Sequence, residues 1–352
     1  MHISTIFRNF AARNDKKREA MSERLRRKAG HDYTKPAAYL VTVTTTERLP
    51  LLGTLIYDKP ENARVKPTPL GLAVIATFYE IEKQVMEKTG CAVQIVQYQI
   101  MPDHFHGIVY VKEELPKEWP LGRFIGGWKA ACSKMYWRNT STTGSESSES
   151  LFTPGFHDRI LRGKGQMQRW ITYLHDNPRR LAIKRENPDL FRIHQQTPIG
   201  GVVCTTLGNI FLAEYPKRAV LQCSRSLSQE QIEARKEECL REAANGTIYI
   251  TAAISEGEKQ IARALREKGY RLIVLLEKGF PEPDSPHYKY FKPQGVYFEA
   301  CAAEQLLLVA PAKELFERAD IVARVEAKVG QIPHETLRYR FVALNTIAEE
   351  MV

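Results

Sequence analysis

Residues 91–111 read CAVQIVQYQIMPDHFHGIVYV. Two runs rich in β-branched and aromatic residues flank Pro102 and Asp103, a pair that signals a turn, so the stretch predicts two consecutive strands. In the second run His104 and His106 are two positions apart. Side chains alternate across a strand, so both imidazoles project from one face while Phe105 points to the other. One face then offers two nitrogen ligands to a single cation. The H-x-H spacing by itself does not separate such a pair from two histidines with ordinary hydrogen bonds on a half-buried strand.

Outward from this stretch the pattern is regular. AYLVTVTTT, residues 38–46, reads as an opening strand. From Pro69 to Lys88 apolar residues such as Leu72, Ile75 and Tyr79 recur at helical spacing, and Gly90 follows as a stop signal. Residues 122–139, GRFIGGWKAACSKMYWRN, resume helical character; their Trp128 and Trp137 suit a core or, alternatively, stacking on unpaired bases. FHDRIL reads as a strand, GKGQ as a turn, and MQRWITYLHDN as a helix that Pro178 ends or bends. The low-complexity tract STTGSESSES predicts a flexible insert, placed over residues 139–151.

On the last of these helices Tyr173 and Asn177 are four residues apart and share a face, so a phenol and an amide converge. Taken alone, Tyr173 reads as a core aromatic and Asn177 as a helix terminator. Met101, Pro102, His104 and His106 followed by Tyr173, Asn177 and Pro178 form an ordered pair of motifs, MPxHxH and Y-x-x-x-N-P. In that combination residues 36–185 resemble the REP-associated tyrosine transposases and their relatives among the single-tyrosine HUH transposases, with Asp103 where Asn is usual.

The resemblance implies an α+β fold with a ferredoxin-like antiparallel sheet and packed helices. It implies a divalent metal ion, Mg²⁺ or Mn²⁺, on His104, His106 and Asn177, with Tyr173 as the catalytic nucleophile. A free phenol, with a pKa of about 10, is a poor nucleophile at neutral pH, so a cation that binds and orients the phosphate answers a chemical need. The implied product is a 5′-phosphotyrosine and a free 3′-OH on single-stranded DNA bearing a hairpin, and dimerisation of relatives makes a homodimer an expectation. Arg123, Lys129, Arg162, Lys164, Arg169, Arg179 and Arg180 are candidates for DNA backbone contacts, each taken singly reading as a solvated surface charge. His157 and His175 read as structural, with a contribution to the cation site as the alternative. A non-catalytic single-stranded DNA-binding protein and an H-x-H metal hydrolase are the alternatives.

The charge agrees with a polyanionic partner. The net charge of +10 is all N-terminal: the first 200 residues hold 31 Lys+Arg against 20 Asp+Glu, and residues 201–352 hold 20 against 21. Residues 1–35 form a basic arm too charged to bury a face. The six cysteines contain no C-x-x-C pair and read as reduced thiols. The absence of a signal-length apolar run or a membrane span makes a cytoplasmic, nucleoid-associated protein the expectation.

Pro188, Pro198 and the Gly200–Gly201 pair, with Pro178 just before them, place a boundary within residues 185–209, giving domains 36–195 and 196–352. Beyond it, apolar runs such as IFLAEY, TIYITAAI, RLIVLLE and LLLVAP alternate with helical stretches, which predicts an α/β Rossmann-like domain with a largely parallel sheet. Ser255 and Glu258 read as a capping box, with phosphate binding at the same helix start as the sharper option. This part weakly resembles the Rossmann-like domain of DprA-type DNA-processing proteins, which assigns no ligand.

Overall fold

The computed structural model describes residues 30–140, 150–285, 288, 291, 293 and 295–352. The chain divides into two compact units, residues 1–182 and 183–352. The first contains β1 (Ala37–Thr44), β2 (Gly53–Ile56), β3 (Arg64–Pro67), α1 (Pro69–Thr89), β4 (Val93–Ile100), β5 (His104–Val111), α2 (Leu121–Thr140), β6 (His157–Leu161) and most of α3 (Gln166–Glu186). β4, β5, β1 and β6 lie side by side in that order, every neighbouring pair antiparallel. Strand, helix, strand, strand, helix, strand is the expected succession. The β2–β3 ribbon, which the sequence reading passed over, is inserted between β1 and α1.

One face of the sheet carries the main core. Tyr39, Val41 and Val43 of β1 and Phe105, Val109 and Val111 of β5 meet Val74, Phe78, Ile81 and Val85 of α1 and Ile125, Trp128 and Cys132 of α2. Phe78, Phe105 and Trp128 form a triangle with ring centroids 4.8 to 5.2 Å apart. Fully burying each such ring contributes about 1.5–3 kcal/mol. Trp128 is therefore core, with its indole N–H donating to the Val74 carbonyl. α1 begins at Thr68, whose hydroxyl accepts from the Gly71 N–H, and ends at Gly90 in the left-handed region, as expected. Its buried stripe is displaced from Leu72 and Tyr79, which are 58% and 46% exposed. The helix has two adjacent apolar stripes, and the one with the continuous Val74, Phe78, Ile81, Val85 run closes on the sheet.

The other face is covered by α3. Ala38, Leu40, Ile108, Leu161 and Leu174 make a smaller cluster there, with Trp170, Ile171 and Tyr173 packed against it. α3 does not end at Pro178 but continues to Glu186, because Leu174 before the proline and Ala182 after it are both buried. In β4 a bulge between Ile95 and Gln97 changes the alternation. It keeps Tyr98 in the main core, stacked on Phe105, and turns Gln97 and Gln99 to the α3 face.

Parts of the expected insert and of the basic arm lie among the described residues and are ordered. Residues 139 and 140 belong to α2, and Leu151 is 1% exposed; residues 141–149 lie outside the described residues. Of the basic arm, residues 1–29 lie outside them, whereas Tyr33 stacks on Tyr39 and its hydroxyl donates to Asp158.

The second unit contains β7 (His194–Ile199), β8 (Val202–Gly208), β9 (Arg218–Val220), α4 (Gln229–Ala244), β10 (Ile248–Thr251), α5 (Glu256–Glu267), β11 (Leu272–Leu275), α6 (Val296–Ala302), β12 (Leu306–Pro311), α7 (Ala319–Val329) and α8 (Leu337–Glu349). β9 to β12 are parallel neighbours, and the β7–β8 hairpin adds antiparallel strands beside β12. This is the expected alternation of strand and helix, with α4, α5 and α6 on one face and α7 and α8 on the other. The stretch 185–209, where a boundary was expected, contains regular structure: Pro198 sits on the edge strand β7, where a missing N–H costs no ladder bond, and Gly200 takes the positive φ of the hairpin turn. One reading is corrected here. IFLAEY forms a 3-10 turn from Ile210, with the strand just before it in β8.

A Cβ added to Gly107 would fall inside the Phe78 ring. Gly107→Ala is expected to destabilise the first unit by about 1–3 kcal/mol through overpacking. Urea unfolding followed by tryptophan fluorescence checks this, since all four tryptophans lie in that unit.

Candidate functional site

The alternation that sends Phe105 into the main core sends His104 and His106 to the α3 face. β1 and β5 pair so that Thr42 is opposite His106 and Thr44 opposite His104. The same register runs on through Gln99 of β4 and His157 of β6, giving a polar row Gln99, His106, Thr42, His157 across four strands. Below it lies the row Gln97, Ile108, Leu40, Arg159, against which Tyr173 and Leu174 of α3 pack. The two motifs separated by some 60 residues of sequence thus share one face of one sheet.

Both histidines are tethered through the same nitrogen. His106 Nδ1 is 2.7 Å from the Thr42 hydroxyl, and His104 Nδ1 is 2.6 Å from Asp103 Oδ1. The rings lie edge to face with centroids 4.8 Å apart. With Nδ1 engaged in each case, Nε2 is the nitrogen that each ring would offer to a cation, the arrangement usual for ligating histidines. Burial works to raise the Asp103 carboxyl, but the hydrogen bond and charge of His104, together with Arg48, outweigh it and hold the group well below the usual carboxylate range. Arg48 Nη1 donates to Asp103 Oδ2 at 2.9 Å.

Asp103 is also held through its backbone. Its carbonyl accepts from both the N–H and the hydroxyl of Thr45, each at 2.9 Å. The turn that follows Thr45 puts Glu47 and Arg48 at φ of 55° and 54°, a left-handed conformation that costs non-glycine residues roughly 1–2 kcal/mol each.

On α3, Tyr173 is partly buried. Its ring meets Trp170 edge to face, and the Arg180 guanidinium carbon is 5.5 Å from the ring centroid. Arg180 is 5% exposed and lies near Asp176, to which Arg179 donates at 2.6 Å. Asn177 is 2% exposed, and its Nδ2 has no hydrogen-bond partner among the described residues. A buried amide with one atom unsatisfied is costly, and a ligand that engages it relieves the cost. Amide oxygen and nitrogen are interchangeable by rotation, so the atom left over can be a donor or a cation ligand. Two imidazoles and an amide fit a divalent cation that tolerates nitrogen, Mn²⁺ better than Mg²⁺. Among the described residues no three His, Cys, Asp or Glu side chains come together as a metal group.

The basic candidates divide by environment. Arg162, Lys164 and Arg169 are exposed at the start of α3, with Arg162 Nη2 2.8 Å from His31 Nδ1. Arg123 is exposed and stacks on Trp119, 4.1 Å from its ring centroid. The Lys129 ammonium donates to the carbonyls of Thr153 and Gly155, which ties α2 to the chain before β6. His175 lies 3.2 Å from the Gln97 amide. Thr42, Arg48, Gln97 and Gln99 are the site neighbours that sequence reading missed. Thr42 was legible from the parity of VTVTTT; Arg48 depends on a turn that no local signal announces.

In the second unit the start of α5 is a plain cap. Glu258 accepts from the N–H groups of Cys223, Ile254 and Ser255, and Ser255 accepts from Glu258 in return. The N–H groups of Ile254 and Ser255, which lead into the helix, are spent on this carboxylate.

No protein-family model matches the chain, and no curated protein matches it. Similar solved structures include a REP-associated tyrosine transposase bound to a REP hairpin, 14% identical, covering 43% of this chain and 72% of that one, with a TM-score of 0.28. A Deinococcus radiodurans R1 protein assigned as a transposase is 15% identical, covering 42% of this chain and 98% of that one, with a TM-score of 0.23. At such TM-scores the likeness carries no argument about this chain. No described helix is long and apolar enough to cross a membrane.

Because its folded-state pKa is depressed, Asp103 contributes stability above the ordinary carboxylate pKa of about 3.9, and that contribution is lost as pH falls through the folded value. Asp103→Asn is therefore expected to unfold at lower urea than the parent at pH 7, with the gap narrowing as pH falls below about 4. Urea midpoints measured across this range check the sign.

Proposed function

We propose that the first unit is a metal-dependent enzyme that nicks and rejoins single-stranded DNA, with Tyr173 as nucleophile and His104, His106 and Asn177 as cation ligands. The observation that carries this reading is the placement of the tethered histidine pair on the one sheet face that α3 covers with Tyr173 and Asn177. A nucleophile and a cation site on one rigid face meet the geometric need of in-line phosphoryl transfer.

The Tyr173 hydroxyl attacks a backbone phosphorus; the new bond is O(Tyr)–P and the bond broken is P–O3′. The phenol proton leaves with solvent or a neighbouring base, and the departing 3′ oxygen takes up a proton. The DNA is left joined to Tyr173 through a 5′-phosphotyrosine, one phosphodiester replacing another, so reversal on a second 3′-OH needs no ATP. A divalent cation, Mg²⁺ or Mn²⁺, supplies charge neutralisation at the non-bridging oxygens when bound. His104 and His106 would hold it through Nε2, their Nδ1 atoms being engaged by Asp103 and Thr42. The Arg180 guanidinium beside the Tyr173 ring adds a positive charge where the phosphate must approach. Arg123, Arg162, Lys164, Arg169 and Arg179 hold the strand by its backbone, and a hairpin is the DNA feature the enzyme selects. Lys129 acts through the loop it fastens. The two-unit chain works as a homodimer in the nucleoid, and its Rossmann-like second unit is an accessory domain.

The test mixes the full chain with labelled single-stranded DNA taken from beside its own gene, with Mn²⁺ or with EDTA, and resolves the products on a denaturing gel. A covalent band is expected with the parent and Mn²⁺, and its loss with EDTA or with Tyr173→Phe. Tight binding of every such DNA without any adduct in Mn²⁺ would replace the enzyme with a non-catalytic DNA-binding protein.

A further inference from the structure

Asp103 has two carboxylate oxygens, and the fold divides them. Oδ1 lies 2.6 Å from His104 Nδ1, while Oδ2 accepts from Arg48 Nη1 at 2.9 Å. A carboxylate next to a cation site has a second option, which is to turn and ligate the cation itself. A guanidinium on the far oxygen opposes that turn, because the turn would break a charge-assisted hydrogen bond between two partly buried side chains.

The segment that delivers Arg48 is built rather than incidental. Thr45 is fully buried and grips the Asp103 carbonyl twice, through its N–H and its hydroxyl. Leu52 N–H donates to the Pro102 carbonyl on the same turn. Between these anchors Glu47 and Arg48 both adopt a positive φ, a conformation that persists only where the surroundings enforce it. The 45–52 segment and the 101–104 turn are thus held together by two backbone N–H donations and one from the Thr45 hydroxyl, and Arg48 is the side chain that reaches from one to the ring-bearing end of the other.

We propose that Arg48 is a positioning residue, which fixes Asp103 as the hydrogen-bond acceptor of His104 Nδ1 and thereby sets Nε2 as the His104 atom presented to a cation. Its consequence for metal binding rests on the reading of His104 as a ligand; the orientation itself does not. With Asp103 ionised, only a protonated Nδ1 can complete the 2.6 Å contact, so the guanidinium acts on the tautomer through the carboxylate.

The experiment uses the full chain with ¹⁵N-labelled histidine and reads the His104 tautomer from long-range ¹H–¹⁵N spectra, assigned with His104→Gln, beside Mn²⁺ affinity measured by electron paramagnetic resonance without DNA. Arg48→Gly removes the guanidinium and suits the positive φ, so the turn keeps its shape; Arg48→Lys returns a charge. The parent is expected to hold the Nδ1–H tautomer. Arg48→Gly should mix the tautomers and weaken Mn²⁺ binding about ten-fold or more, the usual effect of losing an outer partner of a ligating histidine. Arg48→Lys should recover part of both. Because Arg48 acts through Asp103, Arg48→Gly combined with Asp103→Asn should be no worse than Asp103→Asn alone. An unchanged tautomer in Arg48→Gly, or losses that simply add in the double variant, overturns the inference. A parent that binds no Mn²⁺ but whose tautomer follows Arg48 supports the positioning role and removes the cation reading instead.

Discussion

The alternation of side chains along β5 is the constraint on which the first unit depends. Phe105, Val109 and Val111 must face α1 and α2 to close the main core, and a shift of one residue would send every one of them to the other side. Gly107 sits between them with the Phe78 ring against its backbone, which leaves no room for a side chain at that position. His104 and His106 are therefore fixed on the opposite face by the hydrophobic demand of their neighbours. The core specifies the site: the same packing that stabilises the sheet decides where its polar residues point.

β4 shows how that constraint is met by an irregular strand. Val93 and Ile95 begin the core-facing set, and strict alternation would continue it with Gln97 and Gln99. The bulge after Ile95 restores Tyr98 and Ile100 to the core and turns the two glutamines toward α3. A single extra residue converts a potential burial penalty for two amides into a polar row beside His106. α3 tolerates its own irregularity in a similar way. Pro178 has no N–H for the Leu174 carbonyl, yet Leu174 and Ala182 are buried on either side of it and keep the helix continuous. Continuity matters because Tyr173, Asn177 and Arg180 lie along that span.

The second unit follows different physics. Its parallel strands β10 to β12 are covered on both faces, and each is too apolar to face water on either side. Strand order there follows chain order, with α4, α5 and α6 all on one face, so β9 to β12 contain no point at which the winding reverses and opens a crevice. The start of α5 is occupied by Glu258, which satisfies the strand-to-helix turn internally.

Much of this was legible in the sequence because it is local. β-branched and aromatic runs announced β1, β4 and β5, Gly90 announced the end of α1, and the spacing of Tyr173 and Asn177 placed them on one face of a helix. What misled the reading was also local: Leu72 and Tyr79 look as apolar as the stripe that is buried. Residues 1–29 and 141–149 lie outside what the structure describes. Only the tertiary structure brought the histidine strand and the tyrosine helix to one sheet face, since strand order is a long-range property that no window of sequence contains. Only it revealed Thr42 behind His106 and Arg48 behind Asp103. Those contacts depend on a cross-strand register and a left-handed turn, and both are set by packing around them rather than by the residues themselves.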